Sequence, residues 1–294
     1  MVTTPGANGP PRRARSVPGH YLRLVHPIEH LRYVARARGA DPAALVEETA
    51  HALGSLRFAP SSLVVACRRI VERHPFTGPL WWLCANVTTS AEPFEAVWEL
   101  SIEVRRDPTA SRLATSLPDD ATVVTIGEQD VLGDGLARRG DVRVLALDVH
   151  HTAASFVRRL ERADVEHEPV DAGTAGAACR HADVVLVEAL AVDPDRAVVP
   201  MGGSTIAAAG SAAGTPVWLV AGVGRRLPSG YLDAMEERLA ELARDTEPWD
   251  LDVELLPTSA FTDVVGPLGR VPMGPPAIVT ECPFAPELLR HSAL

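Results

Sequence analysis

Lysine is missing from this chain: all 28 fixed side-chain cations among its 294 residues are arginine. That removes Schiff-base chemistry and a lysine anchor for phosphate. Cysteine is scarce as well. Cys67, Cys84, Cys179 and Cys282 are far apart and show no CxxC or Cys/His spacing, so no metal site is expected. All four read as reduced and structural, with Cys67 and Cys84 as small buried hydrophobes in apolar helical contexts. No apolar run approaches a membrane span. The first twenty residues lack the apolar core of a signal peptide, so a cytoplasmic protein with no membrane partner is expected. Formal net charge is −10, and no broad basic face is visible, which argues against nucleic acid as a partner. No GxSxG elbow occurs.

A nucleotide fingerprint is missing too. After the first expected strand, Gly133-x-Gly135 falls inside a helical stretch, too late to cradle a pyrophosphate. Gly222-Val223-Gly224 follows a later strand, but a lone GxG is weak evidence. No cofactor is expected.

What is present is an alternation of apolar runs and helical stretches. The chain is 46% hydrophobic and 22% charged, enough for one large domain or two smaller ones. Residues 1–19, rich in Pro, Gly and Arg, read as a disordered leader. Residues 20–117 read as a helical amino-terminal domain, with helices opening at Asp41-Pro42 and Pro60-Ser61-Ser62 and another over Ala91–Arg106. Leu80–Val87 is apolar and aromatic and is expected to pack against the sheet or a partner chain. Pro108 to Pro118 reads as the connection into the sheet.

Residues 118–294 read as a Rossmann-like α/β domain. Thr122–Ile126, Val142–Leu147, Val165–Val170, Val184–Val187 and Val217–Val220 are short apolar strands, separated by helices over Ala153–Ala163, Gly173–His181 and Ser204–Ala213. Strands alternating with helices of this length predict a right-handed parallel sheet covered on both faces. The segment Ala191–Gly203 reads as a loop at the carboxyl edge, where open α/β sheets bind ligands. Towards the end, Leu251–Leu256 and Ala277–Thr280 are expected strands, with a short helix in Pro257–Val265.

Several segments together resemble the superfamily of initiation factor 2B regulatory subunits, methylthioribose-1-phosphate isomerase and ribose-1,5-bisphosphate isomerase. Arg38-Gly39-Ala40 is similar to an early family turn, and Arg73-His74-Pro75-Phe76-Thr77 with Leu80 to a later segment. Val123–Gly127 matches the first sheet strand. The longest match is Asp183 to Ala221, anchored on Gly202 and Gly214-Thr215-Pro216-Val217. The resemblance implies a phosphorylated sugar or nucleotide as ligand and pairing of two copies into a homodimer. It also implies an aldose–ketose isomerase, or a non-catalytic ligand-sensing or assembly protein of the same fold. The isomerases' Cys position is Gly127 here, and their "NGD" turn falls near Pro194-Asp195-Arg196, so the thiol route is closed. The Arg-only, Ala- and Pro-rich composition points to a GC-rich bacterial genome.

Candidate residues follow from edge position and chemistry and, for Arg38, Gly127 and the Asp193–Asp195 turn, from what the resemblance implies. Asp195, Asp193 and Glu128 are the expected acid–base groups, although Asp beside Pro194 also forms ordinary turns. Gly202, Gly203 and Ser204 open a helix and offer free N–H groups to an anion; tight turns need glycine as well. Arg38, Gly127, Gln129 and His150 complete the expected substrate contacts.

Overall fold

The computed structural model describes residues 42–58, 60–126, 130–149, 153–274 and 277–290. The chain begins there with helices: α1 (Pro42–Gly54), α2 (Leu63–Arg73), α3 (Gly78–Thr89) and α4 (Pro93–Arg105). α3 carries almost no polar face and is buried nearly all round, so it forms the centre of the bundle. Trp81 and Trp82 are 4% and 2% exposed. Their indole N–H groups donate to the Pro75 carbonyl at 2.8 Å and the Glu281 carbonyl at 3.1 Å. The aromatic stretch thus packs inside the subunit, against the sheet side. α5 (Thr109–Ser116) occupies the segment expected as a connection and packs on the sheet layer through Leu113.

The α/β part follows the expected order. β1 (Thr122–Ile126) is followed by α6 (Asp130–Leu136), β2 (Arg143–Asp148), α7 (Ala153–Arg162), β3 (Glu166–Asp171) and α8 (Ala175–His181). β4 (Val184–Glu188) then leads to β5 (Ala191–Val192), β6 (Arg196–Pro200), α9 (Gly203–Ala213), β7 (Val217–Val220) and α10 (Ser229–Leu242). β8 (Val253–Pro257), β9 (Asp263–Gly266) and β10 (Gly269–Pro272) complete the strands.

The main sheet has the order β10-β9-β7-β4-β1-β2-β3 and is parallel except for β10, which pairs antiparallel with β9. Its central strands are buried on both faces, as their unbroken Val/Leu/Ile runs require. The fold class is therefore α/β with helices on both faces of a mostly parallel sheet.

Three segments differ from expectation. Ala191–Gly203 holds β5 and β6, which form a hairpin and join β8 in a small antiparallel sheet, β5-β6-β8. The buried triplet Ala197–Val199 drives this, since it packs into both flanking cores. Asp263–Gly266 and Gly269–Pro272 extend the main sheet, whereas Ala277–Thr280 forms no strand. Residues 277–290 instead run as a strap across the molecule, tied by Arg68 Nε donating to the Glu287 carbonyl at 2.5 Å and Ala285 N–H to the Tyr231 hydroxyl at 2.7 Å. Among the described residues, no helix is long and apolar enough to cross a membrane.

Candidate functional site

The strand order reverses between β1 and β4, so the crevice at their carboxyl ends is the switch point at which doubly wound sheets bind ligands. Glu188 closes β4 there. Its Oε2 accepts from the Leu132 N–H at 2.8 Å and its Oε1 from the Val131 N–H at 3.4 Å, filling the first turn of α6. Arg225 Nη1 lies 2.6 Å from Glu188 Oε1, and both side chains are 3% exposed. The same Nη1 donates to the Ala189 carbonyl at 2.5 Å. A buried pair persists only when other donors and acceptors support it, and here the Val131 and Leu132 N–H groups and the Ala189 carbonyl do so.

Arg225 belongs to the loop Gly222–Arg226 that leaves β7. Two further carboxylates hold this loop. Asp107, between α4 and α5, accepts from the Val223 N–H at 2.9 Å through Oδ2 and from the Thr109 N–H at 2.8 Å through Oδ1. A Cβ on residue 222 would sit 2.3 Å from that Oδ2, so the close approach of the carboxylate requires glycine. Glu281 of the strap accepts from the Gly224 N–H at 2.9 Å and pairs with Arg226. Burial raises the Glu281 pKa, against the opposing pull of Arg226. Beside it, burial pushes the Cys282 thiol up to about 12, so this sulfur stays protonated at neutral pH and is no nucleophile.

The third carboxylate site is at the start of α9. Gly202 caps the helix at φ 94°, a left-handed conformation that favours glycine. Ser204 donates its N–H to Glu254 Oε1 at 2.9 Å and its hydroxyl to Oε2 at 2.6 Å. Glu254 reaches it from β8, where it lies opposite Val199 of β6. The carboxylate occupies the place where the sequence suggests a phosphate.

Asp193 and Asp195 occupy the β5–β6 turn. Asp193 is buried, and its Oδ1 accepts from the Asp195 N–H at 2.9 Å and the Arg196 N–H at 2.8 Å, an arrangement that closes the turn. The Asp195 side chain is exposed, while its carbonyl accepts from the Thr258 N–H at 2.9 Å. β6 runs between this turn and Gly202–Ser204. Four strand steps at about 3.3 Å each separate the two by roughly 13 Å, so the expected acids and the expected anion cradle are not brought together. Arg38, Gly127, Glu128, Gln129 and His150 lie outside the described residues. Among the described residues, no cluster of three His, Cys, Asp or Glu side chains is placed to hold a metal ion.

Glu188, Arg225, Asp107, Glu281 and Glu254 escape sequence reasoning. A charged residue closing the buried run Val184–Val187, and an arginine pair after Gly222-Val223-Gly224, were the available signals. Neither announces its partner, because the pairs span 37 and 55 positions.

A helical bundle feeding a doubly wound sheet, with a small antiparallel annex, defines the architecture. No protein-family model and no curated protein matches the chain. Among solved structures, the translation initiation factor eIF-2B of Pyrococcus horikoshii OT3 superposes with a TM-score of 0.71 over 86% of this chain and 98% of that one, at 16% identity. The tetrameric eIF2B-beta2-delta2 complex of C. thermophilum gives 0.66 over 83% and 90%, at 14% identity. The eIF-2B delta subunit of A. fulgidus gives 0.55 over 90% and 91%, at 15% identity. The chain shares the fold of the eIF2B subunits.

Proposed function

We propose that this protein works by association, as a non-catalytic, self-pairing protein of the eIF2B-like fold. The observation that carries this reading is the state of the carboxyl edge: the N–H groups of Val131 and Leu132 on α6, of Ser204 on α9, and of Val223 and Gly224 in the loop after β7 are engaged by carboxylates of the same chain. A phosphate arriving there meets negative charge and occupied donors. The tetrameric C. thermophilum complex among the similar folds supports assembly as the mode of action, and a homodimer is the simplest unit. Sedimentation of the full chain at micromolar concentration tests it: a dimer is the expected species, and a strict monomer overturns the reading.

A second reading keeps a small phosphorylated sugar or nucleotide as ligand, with aldose–ketose isomerisation as the reaction. The buried Glu188–Arg225 pair at the switch point favours it, since a ligand phosphate that took over Arg225 would replace the carboxylate. In that reading Glu128 and Asp195 move protons, Asp193 positions the turn, and Gly127, Gln129, His150 and Arg38 contact the ligand beside Gly202, Gly203 and Ser204. Following pentose phosphates by NMR separates the two readings. Association predicts esters returned unchanged and unbound; turnover or saturable binding supports the ligand.

A further inference from the structure

A groove of about 580 Å³ lies between α10, the end of α2 and the carboxyl-terminal strap, and none of the residues that close the carboxyl edge lines it. Its volume falls in the range of about 300–1,000 Å³ found for small-molecule sites. Trp81, Phe284 and Leu288 give it an apolar floor. Trp81, Tyr231 and Phe284 form an aromatic row, with ring centres 5.0 Å and 5.2 Å apart. Phe284 stays 47% exposed, yet its ring is held from beneath. A Cβ on residue 230 would sit 2.6 Å from its Cε2, so the ring rests directly on the Gly230 backbone. Its free face is therefore a preformed apolar wall.

The charge around this floor leans to one sign. Glu72, Asp233, Glu237 and Glu241 line the groove against Arg238 and Arg290. Arg238 is already paired with Glu241 at 2.7 Å, and Asp233 is paired with Arg196. Glu72 of α2 and Glu237 of α10 are exposed and have no ion-pair partner among the described residues. Arg290 alone stands against them among the described lining residues. The Trp81 indole N–H, a donor that an anion could use, is spent on the Pro75 carbonyl at 2.8 Å. We infer that this groove binds a small organic cation of the arylalkylamine class, an ammonium head on an apolar ring-bearing body. The body lies along the row from Phe284 to Trp81. The ammonium stays at the rim, where Glu72 and Glu237 attract it and the Phe284 face adds a cation–π contact. An anion of the same shape meets repulsion from the same two carboxylates.

The test titrates the full chain with phenylbutylamine and, separately, with phenylbutanoate, which carries the same ring and the opposite charge. Binding is read on the Trp81 indole N–H signal by NMR. Saturable shifts with the amine are expected, with the carboxylate binding at least about tenfold more weakly. Glu237→Gln should weaken the amine about threefold, and the pair Glu72→Gln with Glu237→Gln about tenfold. Ala234→Trp, which fills the groove, should abolish binding with the circular dichroism unchanged. Equal or tighter binding of phenylbutanoate would overturn the proposal, as would amine binding indifferent to the two glutamates, or no saturable shift. Amine affinity that falls as the protein concentration rises would assign the groove to a second copy and overturn it too.

Discussion

The two ends of the main sheet handle charge in opposite ways. At the amino end, Arg139 meets Asp141 at 2.5 Å, and Arg143 meets Glu166 and Glu168 at 3.2 and 2.7 Å. The carboxylates there are exposed by a third or more, so solvent screens most of the attraction. At the carboxyl end, Glu188 and Arg225 have almost no solvent, and Asp107, Glu254 and Glu281 reach backbone N–H groups rather than one another. Similar side chains thus decorate one edge and build the other. The difference comes from what surrounds each pair: loops at the amino end, and the bundle, the strap and the small antiparallel sheet at the carboxyl end.

The sharpest way to break this comparison is Arg225→Met. It leaves Glu188 buried without its cation and should cost about 3–5 kcal/mol, read as a lowered urea midpoint. Adding Glu188→Leu should recover much of that loss; no recovery would show that the cost lies in the loop rather than in the pair. Next comes Asp107→Ala, which frees the N–H groups of Val223 and Thr109 and should cost about 2 kcal/mol. A cost near zero would mean the loop holds itself.

The two edges should also respond oppositely to pH. Glu281 has a raised pKa in the folded state, so the fold holds its proton longer than the unfolded chain. Stability from this group falls as pH rises from the ordinary Glu value, about 4.3, through the raised one. Hydrogen bonding from the Arg139 guanidinium holds the Asp141 carboxyl far below the ordinary range. Its contribution is present above an ordinary Asp pKa and is lost as pH falls through the depressed one. Unfolding of Glu281→Gln and Asp141→Asn across acid pH should therefore remove slopes of opposite sign. The smallest effect belongs to Arg143→Ala, below about 1 kcal/mol; a larger loss would erase the contrast between the edges.

How much of this was legible follows the same division. The strands Thr122–Ile126, Val184–Glu188 and Val217–Val220 announce themselves because burial on both faces demands unbroken apolar runs. The β5–β6 hairpin does not, because Asp193-Pro194-Asp195 and Met201-Gly202-Gly203 bracket a short apolar triplet and together look like one long loop. β9 and β10 carry only paired valines and a single valine, although Gly266-Pro267-Leu268-Gly269 between them is turn chemistry. At the site, Gly202 and Gly203 were visible as a helix start. Glu254, which fills that start, was not, since its position opposite Val199 is set by the pairing of β6 with β8 and by nothing local.

The most direct measurement follows the backbone amides of Leu132, Ser204, Val223 and Gly224 by NMR while a pentose phosphate is raised to millimolar concentration. If the chain's own carboxylates hold these donors, the four signals stay where they are in the wild type. In Glu254→Gln, with the charge removed from the start of α9, the Ser204 amide alone begins to move. Saturable shifts of all four amides in the wild type would contradict the account and return the carboxyl edge to a phosphorylated ligand.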